Sequence, residues 1–461
     1  MQGDFSRNTF DPTKHFSRVL MQQGRVQLDA DWNELNATVR HHLRTLARDM
    51  YGRCGGPAKL GFDITPRGNN NFTISSGHLY VDGLLCENDE RWGMVDQSPQ
   101  LIPLTYDGQK DYDYPTPDPL PPVGDFLVYL DVWERYVSAL QDADIREKAL
   151  GGPDTAARAQ ILWQVRVWTE PPPVKEDKKT FDESQWIPLT ARWQPPNRGL
   201  LKVKADTDTA AYKDPCIQAP NAGYRGAENH LYRIEVHTGG TAGTAGTATF
   251  KWSRENGSVV ASWIETEGNN LVVDTARGFQ ANQWVELIDD SKELRAQPGT
   301  LVKVSNVEAN LITIDPTTAK GSITRADFPR NPRVRRWDQQ ETEDLTLSTF
   351  DRAIPIVEQT DTPDAKWIAL EDGIQIQFQP VLKPSPNNPD HSYRTGDYWL
   401  VPARVATGDV EWPEWVLPDD KHVPRALPPH GIHHVYAPLA LLGVIDAKLE
   451  SVSDWRRALL P

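Results

Sequence analysis

The sequence predicts a mainly β protein of several small antiparallel β-sandwich or barrel domains with one N-terminal α-helix. Three observations lead there. The 461 residues include 37 prolines and 16 tryptophans, a proline share above the ordinary level of about 5%. Most apolar residues fall in short β-branched or alternating runs bounded by Gly, Pro, Asn and Asp, as strands and turns require. From Trp32 to Met50, by contrast, apolar residues recur every three or four positions, the period of a helix.

That helical stretch opens with "LDADWNE", residues 28–34. Asp29, Asp31 and Asn33 alternate as the ligands of a calcium loop would, but such a loop needs Gly at its sixth position and Glu at its twelfth. Glu34 and Arg40 stand there instead. Trp32, Leu35, Val39, Leu43, Leu46 and Met50 mark one face of a helix of about 20 residues. Asp31 stands before this stripe and Glu34 three residues later, an aspartate form of the capping box. Asp31 is therefore expected to cap the helix, and Trp32 and Leu35 to anchor it on the body or on a neighbour. Gly52, Gly55, Gly56 and Pro57 stop it. Before the helix, Phe5, Phe10, Phe16, Val19, Leu20 and Met21 show no period, so residues 1–24 read as an arm ordered by a partner.

The remaining elements follow in order. Residues 1–57 hold the arm and the capped helix, and 58–113 a region of short strands around "FTISSGHLYVDGLLCEND". After the Pro-rich connector 114–124, a β-domain is expected over 124–220, with "FLVYLDVWERYVSAL" a buried strand and "ILWQVRVW" its partner. Between them, "ALGGPDTAARAQ" is a loop with room for a short helix after Asp154. A second β-domain spans 224–265 and 330–417. Within it, "TGGTAGTAGTA" reads as a long mobile loop, and Asn256-Gly257 as a hairpin turn. It is split by an inserted small β-barrel, 266–325, where five or so short strands follow one another closely. Residues 418–461 form a His-containing loop and a C-terminal tail.

Composition narrows the function. A formal net charge of -15 opposes general nucleic-acid binding. Cys54, Cys86 and Cys216 are odd in number and far apart, which argues against a disulfide framework and for synthesis in a reducing compartment. "MQGDFSRNTF" lacks the apolar core of a signal peptide. "VYAPLALLGVI" has 11 residues, too few to span a bilayer, so no transmembrane segment is expected.

Four groups of residues invite a chemical reading. His430, His433 and His434 are the best metal-ligand candidates, since imidazoles at this spacing can share a zinc ion; the plainer reading is that they hydrogen-bond a loop, and no metal or cofactor is expected. Asp397, Asp409, Glu411 and Glu414 lie among Trp399, Trp412 and Trp415, a composition suited to binding or hydrolysing a glycan, with turns and solvated faces as the alternative. The glycine-rich run lacks the Lys-Ser/Thr ending of a phosphate loop, and no serine elbow occurs. Arg330, Arg333, Arg335 and Arg336 form a basic patch, expected to dock an acidic neighbour in preference to nucleic acid.

Several long segments taken together resemble proteins encoded in contractile injection system and phage-tail-like gene clusters. They are "GDFSRNTFDPTKHFSRVLMQQGRVQLDADWNE", "VYLDVWERYVSALQDADIREKALGGPDTAARAQILWQVRV", "YRGAENHLYRIEVH", "FKWSRENGSVV", "LEDGIQIQF", "YRTGDYWLVPARVATGDVEWP" and "HHVYAPLALL". The resemblance implies a structural part of the baseplate or its periphery, not an enzyme. It implies other baseplate and tail subunits as partners, in many copies within a symmetric assembly. Synthesis would be cytoplasmic, followed by incorporation into the particle. On this reading Phe5, Phe10, Phe16, Trp32, Leu35 and the four arginines make the contacts. The alternative is a carbohydrate- or cell-surface-binding module, with glycan hydrolase activity a further option.

Overall fold

The computed structural model describes every residue except 58, 69, 96–97, 110–117, 171, 173, 176, 178–180, 207–222, 244–245, 343–344, 363–364, 386–387, 447 and 459–461. The fold is mainly β, in small antiparallel sheets with few helices. The chain divides into two compact units. One comprises Met1–Asn8, Ser138–Ala157 and Pro196–Gly431; the other comprises Thr9–Val137, Arg158–Pro195 and Ile432–Pro461.

The unit containing Thr9 is built on a four-stranded sheet in the order Arg158–Trp168, Gly124–Val137, Val435–Ile445, Lys448–Asp454. The strand pair expected from the sequence is present, in antiparallel register from Arg158 opposite Val137 to Trp168 opposite Leu127. Gly124–Val137 is buried at every position from Phe126 to Trp133, because both faces of the sheet are covered. Phe126, Val128, Leu130 and Val132 pack with Phe62, Phe72, Leu79 and Val81 on one side. Leu127 and Tyr129 pack with Trp186 and Leu189 of helix α2, Glu183–Trp193, on the other. The α2 N-terminus is capped by Asp182, which accepts from the Ser184 amide.

Helix α1, Asp29–Tyr51, lies in the same unit. It begins two residues before the expected cap: Leu28 is the N-cap and makes no side-chain cap bond. Asp31 is thus already helical, and the Glu34 carboxylate accepts from the Thr9 hydroxyl instead. Asp29 and Asp31 still favour the positive end of the helix dipole. The helix stops at Gly52, as its sequence predicts. Its buried residues are the small Ala30 and Thr38, and it packs beside the strand Gly77–Val81. Small side chains permit close approach: a Cβ on Gly83, at φ +81, would sit 2.2 Å from the Arg44 carbonyl oxygen. Arg40 and Arg44 both reach Glu134, at 2.6 and 3.2 Å, and Tyr51 stacks on Tyr80.

The unit containing Met1 combines a five-stranded sheet, a three-stranded sheet and a closed barrel. The five strands run in the order Ile354–Pro355, Thr249–Ser253, His230–Val236, Tyr398–Arg404, Asp409–Val410. Tyr232, Ile234, Phe250, Trp252 and Trp399 from this sheet share a core with Ile376 and Phe378. The barrel closes through Val260–Glu267, Asn270–Val273, Leu311–Asp315, Thr300–Glu308, Trp284–Ile288 and Arg333–Trp337. Its interior holds Trp263, Leu271, Val285, Leu287, Ile312 and Phe328 among others. The insertion drawn at 266–325 from turn density lies inside this span, whose outer strands reach from 260 to 337. The strands drawn together over 124–220 fall in both units, since Leu201–Ala205 pairs with Ile374–Phe378.

Three local expectations are corrected. Asn256 and Gly257 have the positive φ values of a tight turn, 51° and 65°, yet Thr249–Ser253 and Val260–Glu267 do not pair with each other. The first belongs to the sheet and the second to the barrel. The Asn256 amide is engaged elsewhere, donating to the carbonyls of Met1 and Gly3. The glycine-rich run read as a mobile loop is hydrogen-bonded along its described residues: Gly239 to Thr395, Gly240 to Tyr393, Gly243 to Ile356. The helical turns near "ALGGPDTAARAQ" precede Asp154, at Ala143–Ile145 and Lys148–Leu150.

Candidate functional site

The feature that stands apart is the outer face of α1. Its small side chains face the body, so the apolar stripe expected to anchor the helix is left in water. Trp32 is 69% exposed, Val39 50%, Leu43 61%, and Leu46 and Met50 56% each; Leu35 is partly buried. Single exposed apolar residues are ordinary, but a row of them along one helix marks an interaction surface. The chain leading into α1 adds Phe16, Leu20, Met21, Val26 and Leu28, all exposed.

The arm itself divides. Residues 1–8 belong to the unit containing the barrel and are held within it. The Gly3 amide donates to the Asn256 carbonyl, Arg7 pairs with Glu411 at 2.9 Å, and the Ser6 carbonyl accepts from Arg404. Phe5 is half-buried. Phe10, in the other unit, meets His41 of α1 with ring centroids 5.7 Å apart. The expectation that residues 1–24 await a partner is therefore corrected for Phe5 and Phe10, which already have neighbours in their own chain. Phe16, Leu20 and Met21 are exposed, and Val19 is partly buried.

The basic patch is also corrected. Arg333, Arg335 and Arg336 lie on a barrel strand and are buried. Arg333 reaches Asp290 at 2.6 Å and also Glu293; Arg336 reaches Glu255 at 2.6 Å and Asp338 at 3.1 Å. Asp290, Glu293 and Glu255 lie far away in sequence, so the run of arginines looked unpaired apart from the adjacent Asp338. Only Arg330 of the four is exposed.

The three histidines go to different partners. The His434 ring lies 2.7 Å from Asp131 and stacks on Trp133. His433 lies 2.7 Å from the Gln194 amide. His430 pairs through its backbone with Tyr398, and burial pushes its imidazole down to about 4. Among the described residues no three His, Cys, Asp or Glu side chains are grouped as a metal would need. The carboxylates near tryptophan also disperse. Asp397 is buried against Arg198 at 2.9 Å, and burial pushes its carboxyl up to about 7 against the pull of that arginine. Asp409 caps the Val410 amide, Glu411 pairs with Arg7 and Arg404, and Glu414 with His422. Trp399 is buried in the core, while Trp415 is exposed with Arg425 over its ring. Cys54 and Cys86 are buried free thiols, the first pushed up to about 12 by burial; Cys216 lies outside the described residues.

Sequence reading missed a buried ionic layer between the five-stranded sheet and the barrel. Lys251 Nζ lies 2.6 Å from both Glu286 oxygens and 3.2 Å from Glu235. Arg233 bonds Glu235 at 2.5 Å. Glu286 also accepts from the Trp337 indole at 2.9 Å and the Gly299 amide at 3.1 Å. Burial would raise the Glu286 carboxyl, but Lys251 and His237 beside it outweigh that and hold it well below its ordinary value. Lys251, Arg233, Glu235 and Glu286 each have a partner of opposite charge, as buried charges must, so the layer reads as the joint between sheet and barrel. One signal pointed to it: "FKWSRENG" and "QWVELIDD" put charges at strand positions whose neighbours are apolar.

Among the described residues no helix is long and apolar enough to cross a membrane. The model of a family of unknown function, DUF6519, matches residues 1–182 and 195–457, nearly the whole chain. No curated protein and no solved structure matches.

Proposed function

We propose that this chain, which belongs to the family of unknown function DUF6519, is a structural subunit of a contractile, phage-tail-like injection particle. Its place would be the baseplate or an attached peripheral extension, its partners other baseplate and tail subunits, and its mode of action protein–protein contact without catalysis. The observation that carries the contact role is the exposed row Trp32, Val39, Leu43, Leu46 and Met50 on α1. A chain with well-filled cores elsewhere keeps these side chains in water, at a cost of about 25 cal/mol per Å² that association would recover. The assignment to an injection particle rests on the long segments quoted above, from "GDFSRNTFDPTKHFSRVLMQQGRVQLDADWNE" onward.

The test is to purify native particles from a producing cell, identify their chains by mass spectrometry and locate this one by cryo-electron microscopy. A stoichiometric copy number at the baseplate end is expected. Intact, working particles from a strain lacking the gene, or particles free of the chain, would refute the proposal. Glycan-release assays on the purified chain are expected to be blank; sugar release abolished by Asp397→Asn or Glu411→Gln would favour the carbohydrate reading.

A further inference from the structure

We infer that the exposed face of α1 is a self-association seam, and that it pairs antiparallel with the same face of a second copy of this chain. This deepens the proposed function by naming an occupant for the face, and it rests on that face being an interface, not on the identity of the particle.

The spacing of the exposed residues carries the argument. Trp32, Val39 and Leu46 recur at intervals of seven, and so do Asn36, Leu43 and Met50. All six are exposed along one helix. Interleaved sevens of this kind are the two rows of a coiled-coil seam. The seam is self-complementary about a two-fold axis. In an antiparallel pair, Trp32 lies opposite Met50 of the second copy, Asn36 opposite Leu46 and Val39 opposite Leu43. The same pairs recur in reverse, so every layer is filled by one pairing rule, as an isologous interface requires. Large meets flexible in the outer layers, and two branched aliphatics meet at the centre. One of the two Asn36 amide hydrogens is already placed, since Nδ2 donates to the Trp32 carbonyl at 2.9 Å.

The helix dipoles select the direction, since antiparallel pairing opposes them and parallel pairing aligns them. The charged side chains of α1 are turned to its own surroundings: Arg40, Arg44 and Arg48 lie beside Asp82 and Leu84, Arg40 and Arg44 pair with Glu134, and Glu34 accepts from the Thr9 hydroxyl. The apolar seam therefore holds the pair. Six side chains from each copy would remove on the order of 1,000 Å² from water, the lower bound for a specific interface. An interface at this lower bound is expected to be weak and to dissociate on dilution.

The test is sedimentation velocity of the full chain from about 1 to about 100 µM. A concentration-dependent monomer–dimer equilibrium is expected. The doubly substituted Leu43→Glu, Leu46→Glu chain should weaken dimerisation at least about 30-fold with an unchanged circular dichroism spectrum and melt. Orientation is read by oxidising a mixture of Val39→Cys and Leu43→Cys chains: the mixed disulfide should dominate. Efficient self-linkage of Val39→Cys alone would show a parallel pair and overturn the geometry. A wild type that stays monomeric at the highest concentration would overturn self-association, without recourse to any variant. The two proposals separate cleanly. A dimer absent from particles refutes the particle assignment alone, and a monomer present in particles refutes this inference alone.

Discussion

Substituting Lys251 by Met tests whether the ionic layer joins the sheet to the barrel. Glu286 is 1% exposed, and Lys251 contacts both its oxygens at 2.6 Å. Met keeps most of the volume and removes the charge, leaving a buried carboxylate with the Trp337 indole and the Gly299 amide as donors and His237 at 3.5 Å. Stripping one partner from a buried ion pair costs about 3–5 kcal/mol. Glu286→Leu should cost less, about 1–3 kcal/mol, because Lys251 still reaches Glu235 at 3.2 Å. The double variant Lys251→Met, Glu286→Leu should return to within about 1 kcal/mol of the wild type, because no unpaired charge remains at the pair. The assay is urea unfolding followed by tryptophan fluorescence, with the midpoint shifts of the four chains closing a double-mutant cycle. The pH dependence gives a second readout. Glu286 is held below its ordinary value in the folded state, so its stabilisation is present above the unfolded pKa and lost as pH falls through the folded one. Lys251→Met should flatten that acid limb. A cost below about 1 kcal/mol for Lys251→Met, or a double variant as unstable as the sum of the singles, would refute the layer as a joint.

Four further outcomes are expected. Trp32→Ala should change stability by no more than about 0.5 kcal/mol, because that ring is exposed, whereas Trp263→Ala inside the barrel should cost about 3–5 kcal/mol; thermal melts decide between them. Gly83→Ala should detach α1, since its Cβ would meet the Arg44 carbonyl at 2.2 Å from a left-handed backbone; faster amide exchange confined to α1 and the 82–83 turn is the reading, and unchanged protection would count against the packing described. Asp397 is pushed by burial up to about 7 from an ordinary 3.8, so the folded state favours its protonated form. Its contribution is present below the unfolded pKa and lost as pH rises towards about 7, and Asp397→Asn should flatten the stability profile between about pH 4 and pH 7. Asn256→Ala removes the bonds to the Met1 and Gly3 carbonyls and strains a backbone at φ 51; release of residues 1–8 to protease, with the barrel intact, is the expected result.

Local features were legible because they depend on neighbours in sequence. The period of α1 and its stop at Gly52, the buried run Phe126–Trp133 with its antiparallel partner, and the dense strands of the barrel all follow from spacing, turn residues and β-branching. What spacing cannot say is which surface an element meets. The α1 stripe has the pattern of a core face, yet the buried residues of the helix are Ala30 and Thr38, and its close approach to the body is made by the Arg44 carbonyl against Gly83, where no Cβ fits. Arg333, Arg335 and Arg336 look like a surface patch, yet Asp290, Glu293 and Glu255 come to Arg333 and Arg336 from distant segments, and Asp338 from just after the same strand, so that these two arginines lie inside as ion pairs. Asn256-Gly257 has the chemistry of a hairpin turn, yet closure of the barrel takes the following strand away from the preceding one. The sequence by itself determined the elements and their periods, because these are set within a few residues by backbone sterics and hydrogen bonding. Only the tertiary structure decided which side of each element is covered. Burial is shared with residues brought from elsewhere in the chain, and it is that distribution which leaves the apolar face of α1 in water.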